Sequence, residues 1–393
     1  MAIANINGAS MANIARIDGA TAGSIAKING AEKGAGVVAP TIAVVSGDDN
    51  RTMISTTEGF ASGSWTKYQS NGRSADEQRS IAFGRQPDGA DTWVICQNKT
   101  GRPIRVAAVT PTGSGDWIEV NPTGEAAYDI VHGYSGSTDP ASGIAAFTVV
   151  GNDAEYASYY GDSGESITTG GDWVGRRPIN SDLSTGKFLS GVGFNYDIEN
   201  PLFVAVSNTG RVFSSTTGGD GDAADWTTRY GTTGTSGANH SESRALWEVA
   251  YNGVDKWVAV GYYDRMEHIT GSGDATTWGV MNLPTGDPTR QMYGVDGDGD
   301  NWVVCGSSGY VWHSTDNAVT WTENQVSNAD GGTSTKWQCV RYDGAGTWWL
   351  VGGSGYLAKS SDMVNWTHFR TPMVDEGGNS AYSIAFNKIR TSS

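Results

Sequence analysis

The chain is predicted to be all-β: a seven-bladed β-propeller of four-stranded antiparallel blades, closed by its own C-terminal strand and preceded by a short N-terminal arm of three 11-residue repeats. Three observations predict it. Tryptophan recurs near the end of a degenerate unit, at Trp65, Trp117, Trp173, Trp226, Trp278, Trp321 and Trp366, at spacings of 43 to 56 residues. A period of that length marks an architecture in which each repeat is one supersecondary unit. Composition agrees, since 393 residues carry 55 Gly and 15 Trp with only 17% charged residues, and glycine with aromatics favours short strands and tight turns. The two ends also complement one another: TIAVVSGDDNRTMISTTEGFASGSWTK (41–67) lacks a leading strand, and AYSIAFNK (381–388) supplies one. Pairing them closes the ring and removes exposed edges at its ends.

Residues 1–38 are read as the arm and 39–393 as the propeller. The arm writes one sentence three times: IANINGASMAN from Ile3, IARIDGATAGS from Ile14 and IAKINGAEKGA from Ile25. Eleven is also a helical period, but a helix would enclose Gly8, Gly19 and Gly30, each costing about 1 kcal/mol relative to Ala. Asn-Gly and Asp-Gly are instead strong hairpin signals, because both residues tolerate positive φ. Each repeat therefore reads as a short strand, a turn and a return through small residues. Such a unit buries almost nothing, so its partners are expected outside itself. Ile3, Ile6, Ile14, Ile17, Ile25 and Ile28 are the expected apolar assembly contacts.

The blades are clearest in the last three units, 245–279, 291–323 and 337–368. Each reads as an apolar strand, an Asn/Asp/Gly turn, a near-continuous WVAV-type strand, a Gly-rich turn, a third strand, a Ser/Asp-rich turn, and a fourth strand opened by Trp. The unbroken apolar second strand suits an element covered on both faces. Segments 80–97, 145–174 and 203–228 keep the order with longer loops. Cys96 and Cys305 occupy the place where the neighbouring unit has Val260, which assigns them to small apolar packing.

STDNAVTW (314–321) resembles the Asp-box of sialidase-like and photosystem II assembly factor-like propellers, with Ser314, Asp316, Thr320 and Trp321 in place and Ala318 where Gly is usual. SSDMVNW (360–366) is a shorter relative through Ser360, Asp362 and Trp366, as is SGDATTW (272–278). The resemblance implies a propeller in which these turns stabilise blade edges, and it implies no activity.

Chemistry is expected to be absent. A sialidase by resemblance needs an arginine cluster, a Tyr–Glu nucleophile pair and an Asp acid/base; RPIR (102–105) does not replace the family's Arg-Ile-Pro entry, so no catalytic residue is nominated. DGDGDN (296–301) begins like a calcium loop, but Ser307 stands where a Glu would close it, and a hairpin turn is the better reading. No cofactor-binding or metal-binding residue, and no cofactor, is assigned. The formal charge of −16 without a basic patch disfavours nucleic-acid binding, and no run of eighteen apolar residues suggests membrane insertion. No secretory signal is seen at the N-terminus.

Short Ile-Ala-Lys-Ile-Asn-Gly repeats such as IAKING (25–30) resemble those of bacteriophage structural and appendage proteins. That resemblance implies a virion location and a tail, fibre or capsid-decorating role, with the arm binding sister chains or other virion proteins and the propeller displayed to a host glycan. The alternatives are a glycan-binding or sialidase-like propeller and a propeller assembly factor.

Overall fold

The computed structural model describes residues 16–17, 20–21, 27–28, 31–32 and, from 39 onward, all except 58, 62, 70–75, 86–89, 102–103, 108–109, 122–124, 136–143, 153–155, 162–166, 169–172, 177–186, 198–199, 219–225, 231–244, 262–264, 271–274, 276–277, 283–289, 375–378 and 390–393. Among the described residues there is no α-helix. Among the described residues from 43 onward the strands form seven four-stranded antiparallel sheets. Six are simple meanders, four consecutive strands each, with the first strand at one edge. In the remaining sheet, Ala381–Phe386 pairs with Ala43–Gly47, so the C-terminal strand leads the sheet that continues through Arg51–Ser55 and Thr66–Gln69. Side chains reinforce this closure: Asn387 Oδ1 accepts the backbone N–H groups of Thr41 and Ile42, both at 2.9 Å, and Asp48 accepts that of Ser380 at 2.8 Å.

The leading strands are Gln78–Arg85, Ala127–Ser135, Leu189–Phe194, Leu246–Tyr251, Met292–Asp298, Trp337–Tyr342 and Ala381–Phe386. Each contacts the leading strand of the sheet before it and of the sheet after it, and the cycle closes from Ala381–Phe386 to Gln78–Arg85. They therefore line one axis. Among the described residues, seven apolar cores lie between successive sheets, again in a closed cycle. The second strands explain themselves here. In the strand Asn301–Gly306, Trp302 and Val304 enter one core while Val303 and Cys305 enter the next. A period of two with both faces covered requires apolar residues at every step. Cys96, Cys305 and Cys339 are all buried and unpaired by disulfide.

Six of the repeat tryptophans are at most 9% exposed, from Trp226 at 3% to Trp278 at 9%, while Trp366 is half-buried. At roughly 25 cal/mol per Å² of apolar surface, each buried indole is a leading contributor to its core. Two sequence segments need extending: 145–174 and 203–228 begin on second strands, and their leading strands are Ala127–Ser135 and Leu189–Phe194. Asp129, His132, Gly133, Gly191 and Gly193 interrupt the apolar run there. An axial strand places some side chains in a polar channel and others close to a neighbour: a Cβ on Gly193 would meet the Trp257 ring at 3.0 Å.

In the arm, Arg16–Ile17 pairs with Ala20–Thr21, and Lys27–Ile28 with Ala31–Glu32, both antiparallel. The residues between the paired strands are Asp-Gly and Asn-Gly. Ile3, Ile6, Ile14 and Ile25 lie outside the described residues, and for Ile17 and Ile28 only the backbone pairing is described.

Candidate functional site at the mouth of the axis

Every leading strand carries the same irregularity. Its register against the second strand skips one residue near its start, which leaves Arg79, Tyr128, Ser190, Trp247, Tyr293, Gln338 and Tyr382 as the extra residues of seven β-bulges. A bulge re-aims a side chain and tightens local twist. All seven extra residues line a single cavity of about 300 Å³ at one mouth of the axis. That size falls at the small end of ligand pockets. The sequence holds a signal for five of the seven bulges, a glycine closing the second strand: Gly47, Gly151, Gly261, Gly306 and Gly352 pair with the residue just before the bulge. A Cβ there would strike backbone, with Gln291 O 2.2 Å from one on Gly306 and Ala245 O 1.9 Å from one on Gly261.

The mouth is aromatic and charged. Phe188 bridges the rings of Tyr128 and Trp247, with centroids 4.8 and 6.0 Å away. The Lys336 ammonium sits 3.9 Å from the Tyr293 ring centroid, and the Arg79 guanidinium 4.8 Å from that of Tyr382. Arg79 is ion-paired with Glu77, which also accepts from the Tyr382 hydroxyl at 3.4 Å. Burial, and then the Arg79 charge, hold the Lys336 ammonium pKa below its usual range.

The floor is a knot of charge. Glu248 and Arg341 line this cavity and a second, of about 140 Å³, so the pair marks the waist of the channel. Arg341 Nη2 donates to Glu248 Oε1 at 3.3 Å, and Nη1 donates to the Val340 carbonyl at 3.1 Å. Asp129 and Asp296, 2% and 3% exposed, reach across to the next sheet: Asp129 accepts the Val192 N–H at 2.7 Å and Asp296 that of Tyr342 at 2.8 Å. These bonds fasten axial strands together. Burial raises the carboxyl pKa of both Asp129 and Glu248, and for Glu248 the neighbouring Asp129 charge adds to the rise while Arg341 opposes it.

Below the waist, the second cavity is walled by aromatics including Phe83, Phe194, Tyr251 and His132. His132 stacks edge-on to Phe147 at 4.9 Å, and burial lowers its pKa to about 4. Lys388, which also lines this cavity, donates from its ammonium to the Gly344 carbonyl.

The turns singled out in the sequence lie elsewhere. Ser314, Asp316 and Thr320 close a turn between third and fourth strands. Asp316 Oδ1 accepts the N–H groups of Val319 at 3.2 Å and Thr320 at 2.8 Å, and Oδ2 accepts the Thr320 hydroxyl at 2.6 Å. Ser314 Oγ donates to Asp316 at 2.8 Å and accepts from Ala318 N–H at 3.1 Å. Hydrogen bonds from Thr320, side chain then backbone, hold the Asp316 carboxyl at about 2. Ser360 and Asp362 repeat the pattern: Asp362 accepts the Val364 and Asn365 N–H groups at 2.9 and 2.7 Å, and the Trp366 indole N–H donates to Met363 O at 3.1 Å. Trp321 is buried beneath its turn. In SGDATTW, Ser272 and Asp274 lie outside the described residues. Arg105 of RPIR is buried over Trp117, 6.0 Å from its ring, and not on the axis. Gly299 and Asp300 of DGDGDN turn the chain from first to second strand, as the hairpin reading expects.

Together these features define an all-β propeller with four-stranded antiparallel blades and a bulge-lined axial mouth. No family model matches the chain, and no curated protein matches it. Solved structures do. A YCF48 structure bound to a D1 peptide aligns with a TM-score of 0.53 at 13% identity, covering 83% of this chain and 93% of that one. YCF48 from Cyanidioschyzon merolae aligns at 0.50 with 11% identity over 82% and 96%. Saccharomyces cerevisiae Sqt1 aligns at 0.52 with 10% identity over 84% and 83%. At such identities the likeness is one of fold. No helix among the described residues is long and apolar enough to cross a membrane.

Proposed function

We propose that this chain is a seven-bladed propeller acting as a docking scaffold of the assembly-factor kind, which holds a segment of a partner protein at the bulge-lined mouth. The observation that carries it is the sevenfold bulge, which delivers four aromatic rings, one cation and two polar side chains to one cavity. Bulges repeated at a single level of a fold are features of design rather than accidents, and rigid aromatic anchors with a polar surround are what peptide recognition uses. One similar structure was solved with a peptide bound, which favours this class of partner.

Binding without chemistry is the reading that the polar groups favour. Asp129 and Asp296 are committed to backbone N–H groups, the three thiols are buried, and burial raises the pKa of each. A working nucleophile or base needs a free, tuned group beside the substrate.

The test screens a random-peptide array with the full chain and with Trp247→Ala, then maps the selected peptide by photo-crosslinking from position 338. Selected peptides should lose binding to the Trp247→Ala protein. Peptides that bind both proteins equally would overturn the mouth as the docking site.

A second reading, a virion component assembled through its arm, draws on the hairpins Arg16–Thr21 and Lys27–Glu32. Among the described residues each forms a two-stranded sheet, and the edges of such sheets can add to other strands. The two readings are compatible, since one concerns the arm and the other the mouth.

A further inference from the structure

The charges at the mouth are already matched. Arg79, Lys336 and Arg341 line it together with Asp129 and Glu248, and Glu77, paired with Arg79, makes three of each sign. Each has its place: Arg79 lies against Glu77 and the Tyr382 ring, Lys336 over the Tyr293 ring, Arg341 on Glu248, and Asp129 on the Val192 N–H. A charged ligand would give up its hydration for a site whose own charges are answered, and that is costly.

The polar groups left open are neutral ones. Among the bulged residues, Ser190 donates to the Leu246 carbonyl at 2.5 Å, Tyr293 to Gln291, and Tyr382 to Glu77 at 3.4 Å. Gln338 and Tyr128 differ. Both line the cavity and both are half-buried. Among the described residues neither the Gln338 carboxamide nor the Tyr128 hydroxyl has a hydrogen-bonding partner. A carboxamide holds two donors beside an acceptor, and a phenol hydroxyl both donates and accepts. A ligand hydroxyl would meet one end of the Gln338 head at a time, whereas a second carboxamide meets both. The Tyr128 ring, which carries the other open group, packs on Phe188 with centroids 4.8 Å apart.

We propose that the mouth selects a carboxamide side chain, Asn or Gln, borne by the docked segment and paired head to head with Gln338, with the Tyr128 hydroxyl as its second partner. This rests on the docking reading and names the chemistry that the site reads. Selectivity follows from the open groups. A site that hydrogen-bonds a ligand group rejects the analogue lacking it, because its own polar atoms are then left unpaired. Balanced charge rejects the acidic and basic analogues of the same length.

The experiment is a saturation-transfer NMR titration of the full chain with four end-capped tripeptides, Gly-Gln-Gly, Gly-Met-Gly, Gly-Glu-Gly and Gly-Lys-Gly. Their backbones are identical and their central side chains similar in length, so any preference belongs to the side-chain head. Gly-Gln-Gly should bind about tenfold more tightly than Gly-Met-Gly, the worth of one or two net hydrogen bonds, and more tightly than either charged peptide. The preference over Gly-Met-Gly should fall to near parity in Gln338→Met and shrink in Tyr128→Phe. Both substitutions keep the shape and remove the polar atoms, and circular dichroism checks the fold of each. The expected loss is a factor rather than abolition, since the aromatic walls remain. Equal binding of Gly-Gln-Gly and Gly-Met-Gly, tighter binding of Gly-Glu-Gly or Gly-Lys-Gly, or a preference untouched by both variants would overturn the proposal, as would no saturable binding of Gly-Gln-Gly. These failures differ from failure of docking itself: array-selected peptides that need Trp247 but carry neither Asn nor Gln sink the carboxamide assignment and leave the scaffold standing.

Discussion

Single residues set the pH behaviour of this protein through opposite placements. His132 is sealed among Phe147 and Tyr134, and burial lowers its pKa to about 4 from an ordinary 6.5. The unfolded chain therefore binds the extra proton first, and stability is lost as pH falls from 6.5 towards 4. Asp316 acts lower on the scale. Its folded pKa of about 2 lies below the ordinary 3.8, so its contribution is present above 3.8 and disappears as pH drops towards 2. Glu248 has the reverse sign: raised by burial and by Asp129, it takes stability away as pH climbs above the usual carboxylate range. Urea unfolding across pH should show His132→Phe flattening the upper acid limb. Asp316→Asn should lower stability by about 1 kcal/mol at neutral pH, the worth of one net hydrogen bond, and flatten the lower limb. Unchanged limbs in either variant would contradict these assignments.

At the scale of elements, the bulge depends on what faces it. Gly306 pairs with Met292, the residue before bulged Tyr293, and a methyl group there would lie 2.2 Å from Gln291 O. Gly306→Ala should cost about 1–3 kcal/mol as an overpacking strain and weaken peptide binding at the mouth. A variant of wild-type stability would show the strand moving aside freely. This contrast also tells what was legible beforehand. The WVAV strands and the Trp that opens each fourth strand stand out because burial on both faces demands unbroken apolar residues. Ala127–Ser135 and Leu189–Phe194 were hidden because channel-facing Asp129 and His132 and close-packed Gly191 break any period. The candidate site was illegible for a related reason. Arg79, Tyr128, Ser190, Trp247, Tyr293, Gln338 and Tyr382 share a structural level but no single residue type, and a glycine on the neighbouring strand marks the place of only five of them, Gln97 and Ser207 standing opposite the other two. The Ser314–Trp321 turn advertised itself in sequence because its side chains bond within a few residues of themselves; the waist joins residues up to 212 positions apart, from Asp129 to Arg341, and local spacing cannot reveal that.

The whole molecule combines a ring closed by its own C-terminal strand with an N-terminal arm of repeats. If the arm recruits sister chains, removing residues 1–38 should leave a folded monomer while the full chain runs as an oligomer in light scattering; identical masses would contradict the arm's role. The ring presents two ends. The bulges lie at the start of each leading strand, whereas the turn holding Val319 lies at the other end: Asn317 N–H donates to Asp300 O, at the tip of Met292–Asp298 far from Tyr293, at 2.9 Å. Val319 is 69% exposed there, so both ends are open to a crosslinker. The central claim, that partners dock at the mouth, is tested most directly by placing a photo-reactive residue at Gln338 in one protein and at Val319 in another, each with the array-selected peptide. Docking at the mouth predicts crosslinked peptide from position 338 and none from 319; crosslinking from 319 alone would place docking at the opposite end and contradict it.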